Sequence, residues 1–318
     1  MSRIRSSLLT AALAGAVLAP AATAQGAPTT LAVEQAPTQV AAYNGVVMWS
    51  RFDPATRTYS LVKSVDGGAP TTVPVAPRAE GPFEIDLGTN RSGKTYAVYN
   101  REDGDIYRLN VAAGRETKLD SLSSPFQVER SPTIMRGEIA FIRHDRGYDH
   151  LRIGNTTRAS KGSRLLVKKR SLVSAELGFS RIAYVESVPA EFREVRVRAR
   201  NIRTGADRLV YRARSGGANA ADVTRPSFIP RPPAFVWART NLGSGTGNRL
   251  VRYTLRGSKL TFAEGSPFFN STAWAGGELG VATASSLTNG ESQGACTDPG
   301  VNYCQVRLTG PLEFTLRP

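Results

Sequence analysis

Both histidines of the chain fall in one short stretch, Arg143-His-Asp-Arg-Gly-Tyr-Asp-His150. His144, Asp145, Asp149 and His150 are the residue types that ligate metals or exchange protons near neutral pH. Ligands crowded on one turn need a second segment to complete a coordination sphere. The stretch also aligns with Asn100-Arg-Glu-Asp-Gly-Asp-Ile-Tyr107, which has no histidine. The expectation is a decorated hairpin with no metal and no cofactor, these four side chains being the reserve metal candidates. A second set is the carboxylates Glu84, Asp86, Glu129 and Glu176, on or beside segments that precede apolar runs. If those segments line a common channel, the carboxylates can converge to hold a cation or to serve as general acid and base. The alternative is a channel with satisfied polar walls.

A third set is cationic. Arg193-Glu-Val-Arg-Val-Arg-Ala-Arg200 alternates strictly, so a strand would present Val195, Val197 and Ala199 on one face and Arg196, Arg198 and Arg200 on the other. Lys168, Lys169 and Arg170 lie close by in sequence. Such a row can grip phosphates or carboxylates, or be neutralised by neighbouring Glu residues. Gly243-Ser-Gly-Thr-Gly247 matches a phosphate loop in composition alone, because neither a Lys-Ser/Thr ending nor a helical pattern follows it. No H-E-x-x-H pair occurs. No residue is assigned a catalytic role.

The elements that must position these groups are strands. Six apolar runs recur: Val46-Val-Met-Trp49, Tyr96-Ala-Val-Tyr99, Ile139-Ala-Phe-Ile142, Ile182-Ala-Tyr-Val185, Ala234-Phe-Val-Trp237 and Leu279-Gly-Val-Ala282. Their starts are about 43 to 52 residues apart. Each is followed by a polar turn and a third, alternating strand, and most by an outer fourth strand. Inner strands are expected at residues 83–87, 126–130 and 172–175. Six self-similar units at this period predict an all-β chain, a six-bladed β-propeller of four-stranded antiparallel blades. Residues 29–34 and 312–316 compete for the outer place of the last blade. A pair of β-sandwiches is the alternative, and it does not explain the spacing.

The apolar strand, the Gly-containing Asp/Asn-rich turn and the Asp-Ile-Tyr-x-Leu sequence resemble the repeat of TolB-like (WD40-like, PD40) β-propeller proteins. Asn100 to Tyr107 is the best copy and Arg143 to His150 a second. The resemblance implies a periplasmic or secreted binding scaffold.

Arg3 and Arg5, the apolar residues 8–19 and Ala22-Thr-Ala24 have the form of a cleavable export signal over residues 1–24, leaving 25–318 as a single propeller domain. In an oxidising compartment Cys296 and Cys304, separated by seven residues, are expected to form a disulfide. Without the leader the net charge of +15 becomes +13, an excess that favours polyanionic neighbours. The expectation is a secreted monomer with no membrane-spanning segment and no nucleic acid. It acts as a scaffold for a protein or a polyanionic envelope partner. A propeller hydrolase or lyase using the channel carboxylates is the alternative, and an acidic-glycan binder the second.

Overall fold

The structure, a computed structural model, describes residues 29–36, 38–156, 162–189, 193–214, 221–241, 248–264, 269–276, 280–286 and 304–309. Among them there are strands and turns and no α-helix. The strands form six antiparallel sheets whose innermost strands touch in a closed circle. The chain is a six-bladed β-propeller. From the axis outward, blade 1 holds Val40–Tyr43, Val46–Asp53, Thr58–Val65 and Thr71–Thr72. Blade 2 holds Asp86–Thr89, Thr95–Asn100, Ile106–Asn110 and Arg115–Lys118. Blade 3 holds Glu129–Met135, Glu138–Asp145, Tyr148–Asn155 and Ser163–Lys169. Blade 4 holds Leu172–Leu177, Arg181–Val188, Glu194–Asn201 and Asp207–Arg214.

Blade 5 departs from four strands, because its inner place is shared by Ala221–Val223 and Ser227–Pro230, both paired with Pro233–Asn241. Arg249–Thr254 and Leu260–Glu264 complete it. Blade 6 holds Phe269–Gly276, Gly280–Ser286 and Cys304–Thr309, and its outermost strand is Thr29–Glu34 from the other end of the chain. The register runs from Thr29 opposite Leu308 to Glu34 opposite Cys304. The N-terminal strand therefore takes the place that residues 312–316, outside the described residues, were expected to contest. Glu34 fastens this clasp to blade 1. Its buried carboxylate accepts the Trp49 indole N–H at 2.6 Å and pairs with Arg51 at 3.1 Å.

The second strands are buried on both faces because each blade is packed between two others. Trp49, Tyr99, Phe141, Tyr184, Phe235 and Trp237 have no exposed surface. These aromatics are the packing between blades. Third strands are half-covered and alternate, with Val195, Val197 and Ala199 buried as expected.

The inner strand of blade 3 is a correction. It was expected at residues 126–130 and lies at Glu129–Met135, because Ser131-Pro132 reads as a breaker in sequence. A register shift between Arg130 and Thr133 absorbs it, with Ser131 at φ 50°, so the missing Pro132 N–H interrupts no ladder bond. Phe126 is thereby left in the preceding loop, 93% exposed. The upper end of the ring is taken here as the one where second strands turn into third strands. The lower end is where first strands turn into second.

Candidate functional site

The channel carboxylates sit where inner strands meet, and their chemistry is directed sideways, blade to blade. Asp86 of blade 2 accepts the Ile134 N–H of blade 3 at 2.8 Å. Thr133 Oγ1 of blade 3 accepts the Leu177 N–H of blade 4 at 3.0 Å. Glu176 of blade 4 accepts the Phe228 N–H of blade 5 at 3.0 Å, and Ser227 Oγ accepts the Trp274 N–H of blade 6 at 3.1 Å. One residue type changes from blade to blade while the bond is kept. Between the inner strands of blades 6 and 1 the bond is backbone to backbone, Gly45 N–H to the Ala275 carbonyl at 2.8 Å, and farther out Glu34 adds the side-chain link to Trp49 and Arg51.

Two of the four carboxylates converge. The Thr133 hydroxyl lies 2.8 Å from Asp86 Oδ2 and 3.3 Å from Glu176 Oε2, so its one proton serves one of them at a time. Burial pushes both carboxyls up, the Asp86 charge pushes Glu176 further, and Arg225 opposes both shifts. Arg225 leaves blade 5 at the gap in its inner strand and crosses the axis. Its guanidinium donates to the Pro132 carbonyl of blade 3 at 2.7 Å and to the Ile85 carbonyl of blade 2 at 3.4 Å. It also stands 3.8 Å from Glu176. The channel is thus spanned by one cation held from three blades. Its sequence signal is Arg225-Pro226 in the middle of an inner strand, which the sequence reading did not single out.

Glu84 and Glu129 lie apart from that pair. Glu84 accepts the Ser131 N–H at 2.5 Å. Glu129, fully buried at the upper end of blade 3, accepts from Arg143 at 2.7 Å. Burial pushes Glu129 up to about 7 against the pull of Arg143. A carboxyl raised in the fold contributes stability that is complete below the unfolded value of 4.5 and is lost as pH rises through 7. Glu129→Gln is therefore expected to gain on the parent between pH 5 and pH 8, on the order of 2 kcal/mol. Urea titrations at the two pH values read this, and a constant difference would contradict it.

The histidine stretch is divided by its own pleat. The register places His144 opposite Asp149, with Arg143 and His150 opposite each other on the other face together with Asp145 and Tyr148. Asp149 ties blade 3 to blade 4, accepting the Leu172 N–H at 2.7 Å and pairing with Arg130 at 2.6 Å and His144 at 3.0 Å. Against its burial, these partners hold Asp149 below the ordinary carboxylate range. Among the described residues, no group of three or more His, Cys, Asp or Glu is placed to hold a metal ion.

The arginine row faces its own acids. Arg196 pairs with Glu194, Arg198 with Asp207 at 3.0 Å and Glu186 at 3.6 Å, and Arg200 with Asp207 at 3.8 Å. Lys169 pairs with Glu186 at 2.9 Å, Lys168 lies over the Tyr148 ring at 4.3 Å, and Arg170 is exposed. Cys296 and the glycine run 243–247 lie outside the described residues, and of Cys304 only the backbone is described.

A feature the sequence reading missed stands at the upper end of blade 2, beside the connection from blade 1. Pro77, Arg78, Arg101, Glu102 and Asp103 line a recess of about 190 Å³. The best repeat copy builds its floor. Asp103 accepts the Asp105 N–H at 3.0 Å and the Tyr107 hydroxyl at 2.7 Å, and Lys118 closes on both aspartates. Burial and the Asp103 bond push Tyr107 up to about 12. Val128, 59% exposed, packs over the Gly104 turn beside the projecting Phe126.

The class these features define is the six-bladed propeller with the fold of TolB. No protein-family model and no curated protein matches the sequence. Among solved structures, TolB from Acinetobacter baumannii superposes with a TM-score of 0.56 at 12% identity, covering 85% of this chain and 65% of that one. An oligogalacturonate lyase in complex with manganese matches with a TM-score of 0.50 at 10% identity, covering 78% and 73%. A puromycin hydrolase matches with a TM-score of 0.53 at 12% identity, covering 78% and 50%. The chain spans just under two thirds of the TolB chain and half of the hydrolase. At these identities the likeness is one of fold, shared by enzymes and by TolB alike.

Proposed function

We propose that this propeller is a non-catalytic binding scaffold, exported to the envelope or the extracellular space. It meets a protein partner through the upper loops of blades 2 and 3. The observation that carries the reading is the use of the channel carboxylates. Asp86, Glu84 and Glu176 accept backbone donors of the neighbouring blade, and Arg225 spans the axis, so the groups that suggested acid–base chemistry are occupied in holding the ring together. The accessible chemistry is at the rim, where an exposed phenylalanine and valine stand beside a polar recess. Aromatic anchors with polar surroundings are what protein interfaces favour. The TolB-like repeat points the same way, and the expected leader and cysteine pair support export.

The test uses the full chain with a photo-crosslinking benzophenone residue at position 126, and in parallel a search for turnover of oligogalacturonate with manganese and of puromycin. The expected result is a discrete protein adduct from position 126 that Val128→Asp abolishes, and no turnover. Because both side chains are exposed, Phe126→Asp and Val128→Asp should each change stability by less than about 0.5 kcal/mol. Turnover without an adduct would favour the enzyme reading.

A further inference from the structure

A group of unmatched positive charges stands at the lower end of the ring, away from the arginine row. Arg91, Lys94, Arg136, Arg181 and Arg231 lie on or beside the turns between first and second strands in blades 2 to 5. Four are exposed and Arg181 is half-buried. None of them makes an ion pair among the described residues, whereas Arg101, Arg130 and Arg198 elsewhere are each matched by a carboxylate. The described acids at this end are the exposed Asp66, the half-buried Glu138, and Asp207, which is committed to Arg198 and Arg200.

These cations are contiguous. Backbone and side-chain atoms of Arg91 adjoin the Gly137 turn, the Arg136 guanidinium covers the Phe179 ring at 4.1 Å, and Phe179 packs on Phe228 at 4.9 Å, one residue before the strand end at Ile229-Pro230. The turns are also short. Met135 pairs with Glu138 across Arg136-Gly137, and Pro230 with Pro233 across Arg231-Pro232. The corresponding turn of blade 4 has three residues and that of blade 2 has five. The result is a cationic face carrying a 36% exposed phenylalanine.

We infer that this lower face docks on an anionic lipid surface. Guanidinium and ammonium groups side by side on the turns of four blades match headgroup phosphates, and the partly exposed Phe179 among them, which a soluble acidic polymer would leave unused, matches the interfacial depth where aromatics settle. The inference extends the binding-scaffold reading and uses the opposite end of the ring, leaving the Phe126 loop free for a protein.

The experiment is co-sedimentation of the full chain with phosphatidylcholine vesicles, with and without phosphatidylglycerol. Binding is expected only with phosphatidylglycerol, and weakens with added salt as exposed charges are screened. The triple variant Arg91→Gln, Arg136→Gln, Arg181→Gln should lower partitioning about a hundredfold. Arg146→Gln, Lys168→Gln, Arg170→Gln, which removes the same charge from the upper end and side of blade 3, should lower it less than about threefold. Equal losses in the two variants would overturn the assignment of face. Binding to soluble alginate with no vesicle binding would overturn the lipid and replace it with an acidic polymer. If the first triple variant does not fold, Arg91→Gln alone reads the same comparison against Lys168→Gln. The outcome is separate from the position-126 adduct, so either reading can fail while the other stands.

Discussion

Replacing Arg225 with Leu is expected to destabilise the propeller by about 3 kcal/mol, because it strips a buried partner from charges that cannot reach water. The side chain donates to carbonyls of blades 2 and 3 and faces Glu176 of blade 4, so its loss frees three blades from one another near the axis. Asp86 and Glu176 then share a buried space without an opposing charge. Their carboxyls are already pushed up by burial, and removing the guanidinium raises them further. Raised acids add stability below their unfolded values and lose it as pH rises, so the deficit of Arg225→Leu should be smallest in acid and grow toward neutrality. Glu176→Gln keeps an acceptor for the Phe228 N–H without a charge, and combined with Arg225→Leu it should recover part of the loss. Urea midpoints of the two single variants and the double variant measure this. A deficit that does not depend on pH, or a double variant that is merely additive, would show that the axial contacts are not coupled.

A comparable loss, about 3 kcal/mol, is expected from Gly88→Ala. Gly88 sits in the inner strand of blade 2, where a Cβ would stand 1.9 Å from the Ile134 carbonyl oxygen and 2.9 Å from its carbon. Those are backbone atoms of blade 3 in a strand that itself donates to Asp86, so relief requires moving one blade from the next. Gly147→Ala is the comparison, since nothing stands within 4 Å there and only the positive φ of 78° opposes it. It should cost about 1 kcal/mol. Thermal unfolding of the two variants should separate them clearly, and equal midpoints would mean that the inner strands are less tightly apposed than the contact implies.

The ring was legible because its signal is repeated. Runs such as Ile139 to Ile142 and Ile182 to Val185 are apolar at every position, as a strand covered on both faces must be, and their spacing gave the number of blades. Inner strands were harder, since four of them carry a polar residue (Asp86, Thr133, Glu176 or Ser227) whose side chain reaches the neighbouring blade. Read singly these look like chemistry; only the repeat of one bond across successive blades shows their shared task. The arginine row left two readings open for a related reason. Alternation placed Arg196, Arg198 and Arg200 on one face, but the acids opposite them, Glu186 and Asp207, come from flanking strands that only the register brings together. Arg225 escaped notice because its role depends on where the circle closes, and no local pattern carries that.

The clasp between Thr29–Glu34 and Cys304–Thr309 sets an order of events for the molecule's making. Five blades can assemble from neighbouring sequence as the polypeptide emerges, but the sixth lacks its outermost strand until residues nearly the whole length apart have met. Until that moment the strand formed by 304–309 has a bare edge, with unpaired amides and carbonyls open to another chain. A copy whose first strand has not yet docked is therefore the one most exposed to proteases and to tangling with its siblings. A fusion that delays or hinders residue 29 should harm yield far more than one that touches any outer turn.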